Sequence, residues 1–406
     1  MKIKLIKDLD LKSKRVFLRA DLNVPLKDKK ILQDYRLKAI LPTIDYIQKH
    51  GGKVILATHI GRPKAKDVTN YFDENLSTEI LLNWFTKNGY KIKHEKDLLE
   101  AQIKSKEDFN EILLLENLRF FNGEQGSKEE RLELAELLTQ LADVYVNDAF
   151  GLIHRDDTSV TLLPEMFDSS QKAIGLLIEK EIKELDKLKH NPEKPFALVL
   201  GGAKIKDKIA LLENFLKETD KKRVDSIIIG GAIAYTFLKA QGHEVGKSLV
   251  ENDFLEFAQN MLNLAKSKEV NILLPLDHLV SENNSFKFHE TSQIPQNGFC
   301  VDIGPKTIEL YKKEIEKAKT IFTNGTMGIY TKPETSNGSK EILQAIAQSN
   351  TYTVAGGGDC VAAAFQFNLQ DKFDFLSTGG GATLAFLSTE KPEENLPGLK
   401  RLFISK

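Results

Sequence analysis

PFALVLGGAKIKDK, residues 195–208, decides how this chain is read. The apolar run 196–200 has the character of a buried strand, Gly201-Gly202 turns it, and 203–208 reads as the first turn of a helix. Such a turn lets backbone approach a ligand closely, and a helix N-terminus offers free N–H groups to an anion. Lys204 and Lys208 are four apart, so on a helix they share a face and form a phosphate clamp. The plain alternative is an ordinary strand-to-helix turn with two solvated lysines.

At 406 residues the chain exceeds one core of usual size. Two or three domains of roughly 100–200 residues each are expected. Hydrophobic content of 41% and charged content of 28% are those of a globular protein. A net charge of −1 gives no global basic field for nucleic acid. No apolar run reaches the ~18 residues of a membrane span. The opening MKIKLIKDLD lacks the apolar stretch of a secretory leader, and Cys300 and Cys360 are the only cysteines. A cytoplasmic monomer without disulfides is the expectation.

Only nine of the 57 basic residues are arginine, and seven of these fall in the first 155 positions. A chain that uses lysine elsewhere keeps arginine where a planar, bidentate fork matters. The first half alternates strands (16–20, 54–57, 112–115, 144–146) with helices (39–48, 78–86, 128–141), the order of a parallel sheet flanked by helices. Polar residues sit just beyond these strands: Asp21 and Asn23, His59 and Arg62, Arg119, then Arg155. Arg36 follows the first such loop. In open α/β sheets the ligand lies beyond the carboxyl ends of the strands. Four converging arginines suit a doubly anionic ligand carrying a phosphate and a carboxylate, whereas each alone would be an ordinary surface ion pair.

A helix over 174–190 is expected to connect the two halves. Beyond it the same grammar returns with glycine in place of arginine. Strand runs end at Gly201-Gly202, Gly230-Gly231, Asn324-Gly325, Gly356-Gly357-Gly358 and Gly379-Gly380-Gly381. Repeated glycine at strand ends receives a nucleotide without side-chain crowding. Arginines in one half and glycine turns with lysines in the other point to phosphoryl transfer from a nucleotide to a small anionic acceptor. Arg36 and Lys204 are placed to hold the transferring group from either side. Asp359 is a carboxylate for Mg²⁺ or, more simply, a helix N-cap. His59 reads as a substrate contact, since an attacking carboxylate needs no base. The stretch 242–248, GHEVGKS, imitates a P-loop but has three residues between its glycines where four are required, and no strand runs directly into it.

These motifs, in this order, resemble phosphoglycerate kinase over nearly the whole chain. The carrying residues are Arg19 to Pro25, Arg36 with Leu41-Pro42-Thr43-Ile44, His59 to Pro63, Leu115 to Phe120, and Val146 to Gly151 with His154-Arg155. In the second half they are Gly201 to Lys204, Asp302-Ile303-Gly304-Pro305, Gly356 to Asp359 and Ser377 to Ala382.

The resemblance implies an α/β chain of two Rossmann-like domains, each a parallel sheet flanked by helices, closing on a hinge. Residues 1–173 would be the acceptor domain, 174–190 the interdomain helix and 191–392 the nucleotide domain, with the tail 393–406 packing back on the first. The reaction implied is reversible transfer between Mg-ATP and 3-phosphoglycerate. By motif match Asp21, Asn23, Arg36, His59, Arg62, Arg119 and Arg155 would bind phosphoglycerate, with Arg36, Lys204 and Lys208 catalytic. Gly202, Lys204, Lys208, Gly230, Gly231, Gly304, Asn324, Thr331, Gly357, Gly358, Asp359 and Cys360 would bind nucleotide, with Asp359 on the metal.

Three departures stand out. Thr331 replaces the family's ribose-contacting glutamate, which bears on nucleotide preference. Cys360 replaces threonine. Asp156-Asp157 replace Ala-His and are expected to lie beside Arg155 and soften its charge. A Rossmann dehydrogenase lacks its GxGxxG fingerprint at every strand end here. A catalytically weak, nucleotide-binding paralogue is the remaining alternative.

Overall fold

Parallel strand pairing organises both halves of the chain. The computed structural model describes residues 2–63, 72–107, 110–216, 223–283 and 285–404. They form two units, Met1–Lys183 with Lys391–Lys406, and Glu184–Glu390.

In the first unit the strands run in the order Ile92–Glu95, Ile112–Leu115, Lys53–Ala57, Arg15–Ala20, Val144–Asp148 and Lys172–Ile174, all parallel. The earliest of them in the chain, Arg15–Ala20, sits inside the sheet. Its neighbours Lys53–Ala57 and Val144–Asp148 lie on opposite sides, so the winding reverses there. Loops that leave such a reversal diverge and open a crevice. Asp21 follows Arg15–Ala20 directly, the His59 and Arg155 loops follow its two neighbours, and the Arg119 loop follows Ile112–Leu115, one strand further out.

The second unit repeats the plan in the order Asn271–Leu273, Ser226–Ile229, Phe196–Leu200, Thr320–Asn324, Tyr352–Gly356 and Phe375–Leu376, again all parallel. Every residue of Phe196–Leu200 is buried, which is why the run is continuously apolar instead of alternating. Leu200 pairs with Asn324, so Gly201-Gly202 lies against Gly325, where a Cβ would meet the Gly201 carbonyl oxygen at 2.3 Å.

Some expectations change. The connector helix spans Leu176–His190, and Ile174 ends the strand Lys172–Ile174. Its buried stripe is Ile178, Glu181, Leu185 and Leu188. The boundary between the units falls within this helix. An antiparallel sheet of Ser285–Glu290, Asp277–Glu282 and Phe299–Ile303 has no counterpart in the sequence reading. Its outer strand carries exposed Phe286 and Phe288, so its alternation does not report burial. The tail belongs to the first unit. Phe403–Ile404 pairs with Lys2–Ile3, and Gly398 N–H donates to the Ile153 carbonyl at 2.9 Å.

Candidate functional site

The first unit gathers its arginines at the strand ends. Arg36 Nη1 donates to both Asp21 carboxylate oxygens, at 3.0 and 2.9 Å, and to the Asn23 carbonyl at 3.2 Å. Asn23 Oδ1 accepts from the Gly61 N–H at 2.9 Å, and Arg119 Nη1 donates to the Gly61 carbonyl at 2.7 Å. A Cβ at Gly151 would stand 2.1 Å from Asp21, so only glycine lets this loop close on that carboxylate. Arg62, Arg119 and Arg155 line a cleft of about 500 Å³ with Asn122, Gln125 and Gly126.

His59 is only 2% exposed. Burial, and after it the charges of Arg19, Arg119, Arg36 and Arg155, push its imidazole well below the usual range. It is neutral at physiological pH. Among the described residues, His59 Nδ1, Arg119 Nε and Arg155 Nε are buried without a hydrogen-bond partner, and Arg119 Nη2 has only the Asp157 carboxylate, 3.6 Å away. Buried donors are rarely left so, and a cluster of them marks where a ligand's oxygens belong.

The counter-charges lie elsewhere than expected. Asp156 pairs with Arg131 through two bonds of 2.8 and 3.0 Å. Asp157 accepts from Gln125 Nε2 at 2.7 Å and lies 3.6 Å from Arg119 Nη2. The two carboxylates are therefore committed to Arg131 and Arg119, and the softening of Arg155 by Asp156 is corrected. Beneath them Arg19 is fully buried, donating to Ser159 Oγ at 2.7 Å and lying 3.5 Å from Glu124. Sequence spacing missed Glu124, because nothing local distinguishes it from a surface acid.

Glu116 fixes the Arg119 loop. Its carboxylate accepts from Ser77 Oγ at 2.8 Å, Thr78 N–H at 2.9 Å and Asn117 N–H at 2.7 Å. Burial alone would raise its pKa. The hydrogen bonds from His94, Asn117, Thr78 and Ser77 outweigh burial and bring it from 4.5 down to about 2. A depressed carboxyl pKa stabilises the fold above its unfolded value, and that contribution disappears as pH falls through the folded one. The first unit is therefore expected to lose stability between about pH 4.5 and 2. Glu116→Gln should be less stable by about 2 kcal/mol at pH 7 and show a flatter profile in that window. Denaturant midpoints against pH measure this; an unchanged slope would contradict the assignment.

In the second unit a cleft of about 500 Å³ is lined by Gly201, Gly202, Lys204, Asp207, Lys208, Asn324, Gly325, Gly357, Gly358, Asp359, Cys360 and Gly380-Gly381. Gly357 takes φ +99°, a backbone that L side chains rarely adopt, and a Cβ there would meet Asn324 Nδ2 at 2.6 Å. Lys204 and Lys208 do not share a helix face. Lys206–Lys208 is a 3₁₀ turn and the α-helix starts only at Ile209. Lys204 is exposed, whereas Lys208 is 7% exposed and donates to Asn324 Oδ1. Burial lowers the Lys208 pKa.

Asp359 is not an N-cap. Gly357 caps the helix Gly358–Gln366, and Asp359 lies exposed in its first turn. The Cys360 thiol is fully buried, 3.9 Å from the Thr323 carbonyl, and burial pushes it up to about 11. Gly230, Gly231, Gly304 and Thr331 do not line this cleft. Gly231 packs behind it, where a Cβ would meet Gly202 N and Thr326 O at 2.6 Å. Gly304 lets the Asp277 carboxylate reach the N-terminus of Pro305–Ile315, bonding Thr307 N–H at 2.8 Å. Thr331 is exposed. The stretch 242–248 wraps Gly246 against the Pro295 and Gly298 carbonyls, which a Cβ there would meet at 2.5 Å.

The sequence profile of the family described as Phosphoglycerate kinase matches residues 6–390. A phosphoglycerate kinase of Bdellovibrio bacteriovorus is 40% identical over 418 residues, covering 98% of this chain and 97% of that one. The chain belongs to the phosphoglycerate kinase family. The phosphoglycerate kinase structure from Coxiella burnetii superposes with a TM-score of 0.80 at 34% identity, covering 99% of each chain. The one from Pyrococcus horikoshii gives 0.82 at 31% identity, covering 98% of each. The chain is thus a phosphotransferase with a carboxyl group as acceptor, working on Mg-ATP and 3-phosphoglycerate in glycolysis.

The residues present fit the metal. Mg²⁺ is held by one or two carboxylates together with substrate phosphates. Asp359 is an exposed carboxylate at the cleft, and no group of three His, Cys, Asp or Glu is gathered elsewhere among the described residues. The ion would come with the nucleotide.

Proposed function

We propose that the first unit is the acceptor half of this phosphoglycerate kinase and the second the nucleotide half. The unpartnered buried donors of His59, Arg119 and Arg155 carry this reading. They supply fixed, water-free bonds that a phosphate and a carboxylate would complete. Arg62 is exposed at the same cleft and adds charge. Asp21 and Asn23 set the position of Arg36 and of Gly61.

Phosphoryl transfer needs placement and charge neutralisation more than covalent help from the protein. In this assignment Arg36 stabilises the equatorial oxygens of the transferring group from the acceptor side and Lys204 from the nucleotide side. Lys208 and the Gly357-Gly358 amides hold the nucleotide phosphates. Asp359 would hold the Mg²⁺ that neutralises charge on those phosphates. His59, being neutral, donates a hydrogen bond and moves no proton. The acceptor carboxylate attacks without a base.

The protein is proposed to act as a cytoplasmic monomer, without nucleic acid or membrane partners. Its two cysteines, free and buried, and its near-zero net charge support this. No helix among the described residues is long and apolar enough to cross a membrane.

A coupled assay tests the assignment. With Mg²⁺, purified protein is expected to form ADP from ATP only when 3-phosphoglycerate is present. No turnover in either direction would sink it in favour of a binding-only paralogue. GTP run in parallel reads the consequence of Thr331.

A further inference from the structure

Lys204 stands on a short span whose two ends are fixed by different parts of the second unit. At the first end, Gly202 N–H donates to the Thr326 carbonyl at 2.9 Å, and its carbonyl accepts from Ile233 N–H at 3.2 Å. Gly202 has φ +97°, a backbone that L side chains rarely adopt. At the second end, Ile205 is fully buried, and its carbonyl accepts from Lys208 N–H at 2.7 Å. Its own N–H donates to the carboxylate of Glu251, 46 positions away in sequence.

Glu251 is itself anchored. Its N–H donates at 3.1 Å to Oγ1 of Thr236, a buried residue on the helix Ile233–Ala240. That is the helix whose first residue holds Gly202. Glu251 stands at the N-cap position of the turn Asn252–Phe254, yet its side chain makes no cap bond there. The loop leading to it contains the false P-loop. Lys247 N–H donates to the Gly298 carbonyl at 2.8 Å, and Cys300 N–H to Ser248 Oγ at 3.2 Å. The loop is thereby tied to the strand Phe299–Ile303, and the small antiparallel sheet acts as a strut behind Glu251.

We infer that Glu251 is a positioning residue for phosphoryl transfer: its carboxylate fixes the Ile205 amide and so sets the span from which Lys204 reaches the transferring group. The bond is charge-assisted, the strong kind, and it holds backbone directly. A displacement of about 1 Å at a group that must meet a transition state costs roughly a hundredfold in rate. The inference rests on the role proposed above for Lys204.

The test is a kinetic double-mutant cycle on the whole chain. Glu251→Ala is expected to lower kcat by about 10–100-fold and to change the KM for 3-phosphoglycerate by less than about threefold. Glu251→Gln keeps a side-chain oxygen to accept the bond and should recover kcat to within about fivefold of the native enzyme. In a Lys204→Ala background, Glu251→Ala should cost less than about twofold further, because the group it positions is gone. Independent, multiplying effects of the two substitutions would overturn the role of Glu251. A Lys204→Ala enzyme with native kcat would instead overturn the role of Lys204. Should Glu251→Ala not fold, Glu251→Gln carries the same cycle against Glu251→Asp, whose shorter reach should lower kcat. Native kcat in the aspartate variant overturns the inference.

Discussion

Arg36→Ala should lower kcat by about 10²–10³-fold while shifting the KM for 3-phosphoglycerate far less. The guanidinium is held ready by two short contacts to Asp21 and one to the Asn23 carbonyl. Asp21 is nearly buried, so its charge fixes Arg36 without a compensating water shell. In the proposed role, charge that builds on the transferring group would meet a cation already in place, and interactions that strengthen only in the transition state appear in kcat. Arg36→Lys should recover little, since an ammonium on a flexible stem lacks the rigid planar guanidinium that holds its charge in one place. The alanine variant also leaves the Asp21 carboxylate without its partner, so it should lose about 3 kcal/mol of stability. Steady-state kinetics with both substrates varied decides the matter: a raised KM with kcat intact would mean that Arg36 binds substrate without acting in transfer.

The second large effect concerns Lys208 and has two parts of opposite sign. Its ammonium is nearly buried and directed to a neutral acceptor, Asn324 Oδ1, while the Asn324 amide is in turn bonded to the Gly356 carbonyl at 2.8 Å. A buried cation facing a neutral oxygen is costly until an anion arrives. Lys208→Met should therefore raise the stability of the ligand-free protein by about 1–2 kcal/mol, by removing that desolvated charge. The same change should weaken binding of Mg-ADP by about 10–100-fold, because a charge-assisted bond to phosphate is lost. Calorimetric titration and thermal unfolding of the free protein measure both parts. Unchanged affinity together with a less stable protein would show that Lys208 serves the fold alone.

The arginine half of the site was the more legible, and the reason is local. Arg119 and Arg155 stand a few residues beyond buried strands and Arg36 opens the helix Tyr35–Lys49 that follows the first of them, and a parallel sheet delivers all such connections to one edge. The glycine half was legible for the same reason at Gly201-Gly202, Asn324-Gly325 and Gly357-Gly358. What escaped were pairings across long stretches of sequence. Asp156 reaches Arg131, 25 positions back, and Glu251 reaches Ile205, 46 positions back. A carboxylate that orders a loop has the same local pattern as one facing water. The spacing of Lys204 and Lys208 misled because a 3₁₀ turn replaces the first turn of the helix, and this places one ammonium outside and the other in the core.

By itself the sequence determined the two parallel sheets and the family: apolar runs too continuous for one-sided burial, arginine or glycine at their ends, and a resemblance that the comparisons bear out. Periodicity and glycine are enough for this, since each strand's burial and each turn's backbone is dictated within a few residues. Only the tertiary structure decided which charges are committed to partners within the fold. PFALVLGGAKIKDK announces a strand and a phosphate turn. That Lys208 is sunk against Asn324, that Lys204 stays exposed, and that Glu251 holds the amide between them depend on three distant segments meeting. Packing across the fold, and no local preference, sets that geometry.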